Sequence, residues 1–397
     1  MPGLKRFIVF LSVITIILGL AYGYTAYRLL PFATMENSLR VVSITAVATC
    51  ILLGPLSQIV RIFYEESPLS DAIAWVAYVT FGFFSMALFF VVVRDLALMV
   101  YDLGASAFLS ASVIEELASD RSHWVSALNI AILTVTVGLT VFGFFQARGR
   151  LKVTRVSVPI HGLAPELEGF TIAQISDLHV GPTIKAKFVK GVVDRVNELK
   201  PELVAITGDL IDGSVPRLRK HVAPLADLRS TYGTYYVTGN HEYYSGALQW
   251  IGETKRLGMQ VLLNEHQVIR HGKATFALGG VADYTAGSFI ASHRSDPQKA
   301  FQGSPDDALR ILLAHQPKSI FEAEKAGVHL QLSGHTHGGQ YFPGNLFVPL
   351  QQPYVRGLHK HGNSYIFISC GTGYWGPPLR VGTRSEIALI QLERAES

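Results

Sequence analysis

A chain of 397 residues that is 49% hydrophobic and only 16% charged is too apolar on average for one ordinary water-soluble enzyme. Its net charge of +4 is modest and the basic residues form no long patch, so no nucleic-acid partner is expected. Cys50 and Cys370 stand far apart in sequence, which argues against a disulfide framework.

The apolar excess sits at the N-terminal end. Phe7 to Tyr27, Val41 to Val60, Ala72 to Val93 and Val125 to Phe145 are runs free of Asp, Glu, Lys and Arg. Each is long enough to cross a hydrocarbon core of ~30 Å as a helix, so four transmembrane helices are expected, at about 7–28, 40–60, 72–94 and 124–146. Lys5 and Arg6 before the first run also fit a cleaved signal peptide. Either choice leaves the chain after the last span on the same side. Arg148, Arg150, Lys152 and Arg155 cluster there, whereas Arg28, Arg40, Arg94 and Arg121 scatter near the opposite face. The positive-inside rule then places the remaining domain in the cytoplasm, on a multi-pass protein of the cell (inner) membrane. Between Asp95 and Trp124 the sequence is mixed, suiting a helix extension plus an interfacial segment; Arg94 and Asp95 are expected to reach for the headgroups.

Residues 1–150 are thus read as a transmembrane region and 151–397 as a soluble α/β domain large enough to bury its own core. Strands are expected at Leu151 to Val158, Phe170 to Ile175, Leu203 to Ile206, Gly233 to Val237, Thr275 to Leu278, Leu309 to Leu313, Val328 to Leu332 and Ser364 to Ile368. Helical spacing fits Phe188 to Leu199 and the region around Ala223 to Leu228.

The chemistry lies in what ends these strands. Ser176-Asp177-Leu178-His179 follows one and Thr207-Gly208-Asp209 the next. Thr238-Gly239-Asn240-His241-Glu242, Ala314-His315-Gln316-Pro317 and Gly334-His335-Thr336-His337-Gly338-Gly339-Gln340 follow three others. In an α/β sheet the residues just past the carboxyl ends of strands converge on one rim, so five loops distant in sequence can share one site. They supply two carboxylates, a carboxamide oxygen and four or five imidazoles, with no thiolate. Such mixed O and N donors suit Mn, Fe, Zn or Mg. The donors are too many for one tetrahedral ion and suit two ions sharing a carboxylate, the arrangement used to cleave phosphate esters through a shared hydroxide. Taken singly, Asp177 and Asp209 read equally well as helix caps, Asn240 as a turn residue and the histidines as loop residues. Asp212 and Asp283 would either support the site or cap loops, and capping is the favoured reading; Glu242 receives no metal-binding role.

In this order, Asp-x-His, Gly-Asp, Gly-Asn-His-Glu, His and Gly-His-x-His resemble the calcineurin-like metallophosphoesterases. The first and last blocks look most like the membrane-associated bacterial branch that includes YkuE-like phosphoesterases and a UDP-diacylglucosamine pyrophosphatase. The resemblance covers Leu151 to the C-terminus and implies a four-layer α/β/β/α sandwich. It implies that Asp177, His179 and His337 hold one divalent metal and that Asn240, His315 and His335 hold a second. Asp209 would bridge the two, with His241 contacting a phosphate oxygen or protonating the leaving alkoxide. Gly208, Gly239 and Gly334 fit loops whose backbone packs close to the ions.

The expected function is therefore a membrane-anchored, metal-dependent hydrolase, with manganese among its candidate ions, acting as a phosphodiesterase or on pyrophosphate bonds. The alternative is a membrane sensor or scaffold that binds a phosphorylated ligand without turnover; the intact Asp209, Asn240 and His241 speak against it. Tyr341, Phe342, Leu346, Phe347, Leu350 and Tyr354, with Tyr374, Trp375 and Arg380, flank the metal motifs. Around the site entrance they would favour a phospholipid or nucleotide-linked lipid as substrate, with Arg380 contacting its polar part. Packed into the core or against the helices, they would imply no such preference.

Overall fold

The computed structural model describes residues 2–63 and 67–395. The chain falls into two compact units, Met1–Phe145 with Gly376–Leu379, and Gln146–Trp375 with Arg380–Ser397. The second unit begins before residue 150 because Ala147 is buried in its core.

The first unit is built from helices α1 (Pro2–Leu29), α2 (Asn37–Phe63), α3 (Pro68–Phe108) and α4 (Ala111–Arg148). They contain four stretches long and apolar enough to cross a membrane, Phe7–Leu29, Asn37–Val60, Pro68–Phe108 and Asp120–Arg148. Ser67 and Ser70 cap the start of α3 reciprocally, with Pro68 in its first turn, where its missing N–H is no loss. The mixed segment expected to be partly interfacial is helical on both sides of a break at 109–110. With 41 residues, α3 is about 60 Å long, roughly twice the thickness of a hydrocarbon core.

Arg94 and Asp95 are held by partners on neighbouring helices. Arg94 is 7% exposed and donates to Asp95, to the Arg28 carbonyl and to Asn129. Asp95 also accepts two bonds from Arg28, each 2.7 Å. Inside a helical bundle a charge is held more cheaply by partners than by reaching for solvent, so this network ties α1, α3 and α4 together.

The second unit runs β1 (Lys152–Ile160), β2 (Thr171–Ile175), α5 (Ala186–Leu199), β3 (Leu203–Thr207), α6 (Val215–Val222), β4 (Thr234–Val237), α7 (Asn240–Ser245), α8 (Ala247–Arg256), β5 (Gln260–Val261), β6 (Glu265–His271) and β7 (Ala274–Gly280). It continues with α9 (Pro297–Ala300), β8 (Leu309–Leu313), α10 (Ile320–Lys325), β9 (Leu330–Ser333), β10 (Gly357–His361), β11 (Ser364–Ile368) and β12 (Glu386–Arg394). The strands form two six-stranded sheets, β1-β12-β2-β3-β4-β5 and β10-β11-β9-β8-β7-β6.

Period-2 alternation builds the layers. Leu203 and Ala205 of β3 face the other sheet, where Ile311, Leu313, Leu330 and Leu332 meet them. Val204 and Ile206 face the opposite way, onto Val189, Val192 and Val196 of α5 and Trp250 of α8. On the far side, Leu312 of β8 packs with Ile320 and Ala323 of α10. The result is the expected α/β/β/α sandwich. Strands β5, β6, β10 and β12 were not anticipated, nor were helices α6, α7, α8, α9 and α10. Ala223–Asp227, expected to be helical, is a 3-10 turn continuing α6.

Candidate metal centre

Strands β2, β3 and β4 are parallel neighbours, so their carboxyl ends lie on one edge of the first sheet. Parallel β8 and β9 do the same in the second sheet. Beyond the strands the loops stay paired: Asp177 N–H donates to the Gly208 carbonyl, His179 N–H to Asp209 and Val180 N–H to Leu210, at 3.1, 3.1 and 2.9 Å. The two sheets are joined at the site by the Asp177 carboxylate, which accepts the His335 N–H at 2.9 and 3.1 Å.

Six of the seven expected ligands, all but Asn240, fall into two Asp/His trios. Asp177, His179 and His337 form one trio able to hold a metal ion, and Asp209, His315 and His335 form another. Asp209 Oδ2 lies 3.2 Å from His315 Nε2 and 3.7 Å from His179 Nε2, between the two trios. Reaching this geometry strains the backbone. Asp177, His179, Asp209, His335 and His337 all have φ between 49° and 70°, a left-handed region that residues with a Cβ seldom enter. Two glycines are dictated by close approach. A Cβ at Gly239 would collide with the Asp209 carboxylate, and one at Gly334 with Ser176 Oγ and the Asp177 carboxylate.

The donor set fits divalent cations. His179 Nε2 and His337 Nε2 face each other at 3.1 Å, as do His315 Nε2 and His335 Nδ1 at 3.2 Å. Asn240 Oδ1, the atom the resemblance assigns to metal, is buried without a hydrogen-bond partner. Burial and the neighbouring histidines push His335 down to about 3 and hold His337 well below its ordinary value, so both imidazoles are neutral, the form that ligates metal. Burial opposes protonation of His241 too, but the Asp209 and Asp212 carboxylates outweigh it and raise its pKa to about 9.

Asp212 does more than cap a loop. Its Oδ1 takes His179 Nδ1 at 3.0 Å and His241 Nδ1 at 2.6 Å, fixing the tautomer of both rings with one oxygen. Glu242, fully buried, accepts the N–H groups of Asp209, Leu210 and Gly239 and so holds two ligand loops to each other. Asp283 accepts from Thr285 as a turn cap and also from Gln316, next to His315.

Arg380 is a correction. It is fully buried, and its guanidinium donates to the carbonyls of His337, Gly371 and Gly373 and to Thr383 Oγ1. Its bonds brace the metal-bearing loop from within the fold. The aromatic segments divide: Tyr374 is buried in the core, whereas Trp375, Leu346, Phe347 and Leu350 stay exposed.

This fold with this site defines a calcineurin-like phosphoesterase, and the profile of that family matches residues 170–339. The chain is 38% identical to an uncharacterized metallophosphoesterase of Helicobacter pylori, over 71% of this chain and 75% of that one. It belongs to this family. A transmembrane protein with metallophosphoesterase domain from Bos taurus is 40% identical over 67% of this chain and 62% of that protein. Similar proteins in Bos taurus and Danio rerio are thus matched over less than two thirds of their length. YkuE of Bacillus subtilis is 29% identical over 57% of this chain and 80% of its own. The similarity therefore extends beyond the bacterial membrane branch.

Proposed function

We propose that this protein is a membrane-anchored hydrolase of phosphodiester or pyrophosphate bonds in lipid-linked substrates, working with two divalent cations from the cytoplasmic side of the cell membrane. The observation that carries the reading is the pair of Asp/His trios meeting at Asp209. Asp177, His179 and His337 would hold one cation and Asn240, His315 and His335 the other, with Asp209 shared. When bound, the cations supply charge stabilisation to the phosphoryl oxygens and acidify the attacking water. His241 carries the proton for the leaving oxygen: Asp212 holds its Nδ1, leaving Nε2 facing the centre 3.9 Å from Asp209 Oδ2.

The test is hydrolysis of bis-p-nitrophenyl phosphate by the full-length protein in detergent with Mn²⁺. Asp209→Ala should abolish turnover and metal retention. His241→Ala should lower kcat by ~10²–10⁴-fold while both metals stay bound. Equal activity of wild type and Asp209→Ala would sink the proposal, and loss of both metals from His241→Ala would reassign that residue.

A further inference from the structure

Two aromatic rings flank His241. Tyr244 lies three residues on in α7, on the same helical face, with its ring centroid 5.2 Å away; Trp375, from the loop between β11 and β12, lies at 5.7 Å. Phe289 packs on Tyr244 at 5.6 Å. These rings are 61%, 55% and 52% exposed. A lone exposed aromatic is ordinary, but two against one reactive imidazole, with a third packed on one of them, form a patch that wants a partner.

The rim is held in place. Gln340, the residue ending the metal loop, accepts the Trp375 N–H through Oε1 at 2.9 Å and donates from Nε2 to the Trp375 carbonyl at 3.0 Å. The backbone carrying the indole is thereby clamped to the loop carrying His335 and His337. Gln340 itself adopts φ of 36°, a strained conformation for a residue with a Cβ.

We infer that Trp375, Tyr244 and Phe289 form the subsite for a flexible hydrocarbon portion of the substrate's leaving group, with Gln340 as the positioning residue for Trp375. The inference rests on the proposed role of His241, since the group next to the proton donor is the one that departs. The shape selects the occupant. Tyr244 and Phe289 are inclined at 60°, and Trp375 lies at 75° to His241, so the rim offers edges and faces in turn. A flat base calls for a slot between parallel faces; an alkyl chain packs on such a surface by area alone.

Calorimetric binding of methyl-, butyl- and hexylphosphonate to the Mn²⁺-loaded full-length protein tests this, because a carbon–phosphorus bond is not hydrolysed. Wild type should bind the hexyl compound at least about tenfold more tightly than the methyl one, from partial burial of the added methylenes. Phe289→Ser, Tyr244→Ser and Trp375→Ala should each cut that ratio severalfold, and Phe289→Leu should restore it. Gln340→Ala should lower the ratio too, a change that general loosening would not produce. A wild-type ratio below twofold, ratios unaltered in the variants, or stronger rim-dependent binding of an adenine phosphonate would overturn the subsite. Absent turnover of bis-p-nitrophenyl phosphate with the chain-length ratio intact would instead remove the hydrolase reading and leave the subsite standing.

Discussion

A single oxygen of Asp212 serves both an expected metal ligand and the expected proton donor, so changing it should affect two functions at once. Asp212→Asn keeps the shape but offers an amide where two imidazoles each present Nδ1. Partners of this kind typically contribute 10–100-fold in metal affinity or activity. Asp212→Asn should therefore lower kcat/KM by about that factor and weaken metal retention, measured by turnover and elemental analysis; wild-type values for both would return Asp212 to loop capping. The ligands themselves were legible because each stands just past an apolar run that makes a strand, and strand ends of one sheet share an edge. Asp212 was not, because nothing in its own loop requires it. The signal was relational: Val180 bridges to Ile211, so the loops after β2 and β3 continue in parallel and bring His179 beside Asp212. Arg380 was misread for the converse reason. A cation after an aromatic stretch resembles a surface contact until its carbonyl partners are known.

Elements were legible where they were apolar and missed where pairing, rather than periodicity, makes them. β6 is half-exposed and polar at an edge, so it shows little alternation. β12 is nine residues long and joins β1 in parallel to β2 in antiparallel, a position no local pattern announces. Among the helices, the charged network was the unforeseen feature, and it makes a prediction. Asp95 is the shared acceptor for Arg28 and Arg94. Asp95→Leu would strip the buried Arg94 and the 37% exposed Arg28 of their counter-charge; breaking a fully buried pair costs ~3–5 kcal/mol, and solvent at Arg28 reduces its share of that. Thermal unfolding in detergent, followed through the fluorescence of Trp75 and Trp124, should shift clearly downward. Arg28→Met together with Asp95→Leu should recover part of the loss, because fewer charges are then stranded. An unchanged transition in Asp95→Leu would mean water already reaches the network.

At the scale of the whole molecule, the question is which side of the membrane each part occupies. Four helices are long and apolar enough to span; crossing in turn, they would return the chain to the side where α1 starts, and Arg148, Arg150, Lys152 and Arg155 follow the last of them. Basic residues just after a span favour the cytoplasm. In the proposed orientation the break at residues 109–110 and the link at residues 30–36 would lie on the opposite side. The length of α3 sharpens this. A helix of about 60 Å would need a tilt near 60° to lie wholly within the hydrocarbon core, beyond the 0–40° that spanning helices adopt. Part of α3 therefore stands clear of that core. With Cys50 and Cys370 replaced by Ala, Ala33→Cys and Leu109→Cys should react with an impermeant maleimide on intact cells, whereas Lys299→Cys in the catalytic unit should react only after permeabilisation. All three positions are exposed in the structure, so accessibility within the fold does not limit the comparison. Labelling of Lys299→Cys from outside would invert the topology and move the substrate supply to the outer face. Failure of Leu109→Cys alone would place the α3–α4 turn within the bilayer and require the helices to bend.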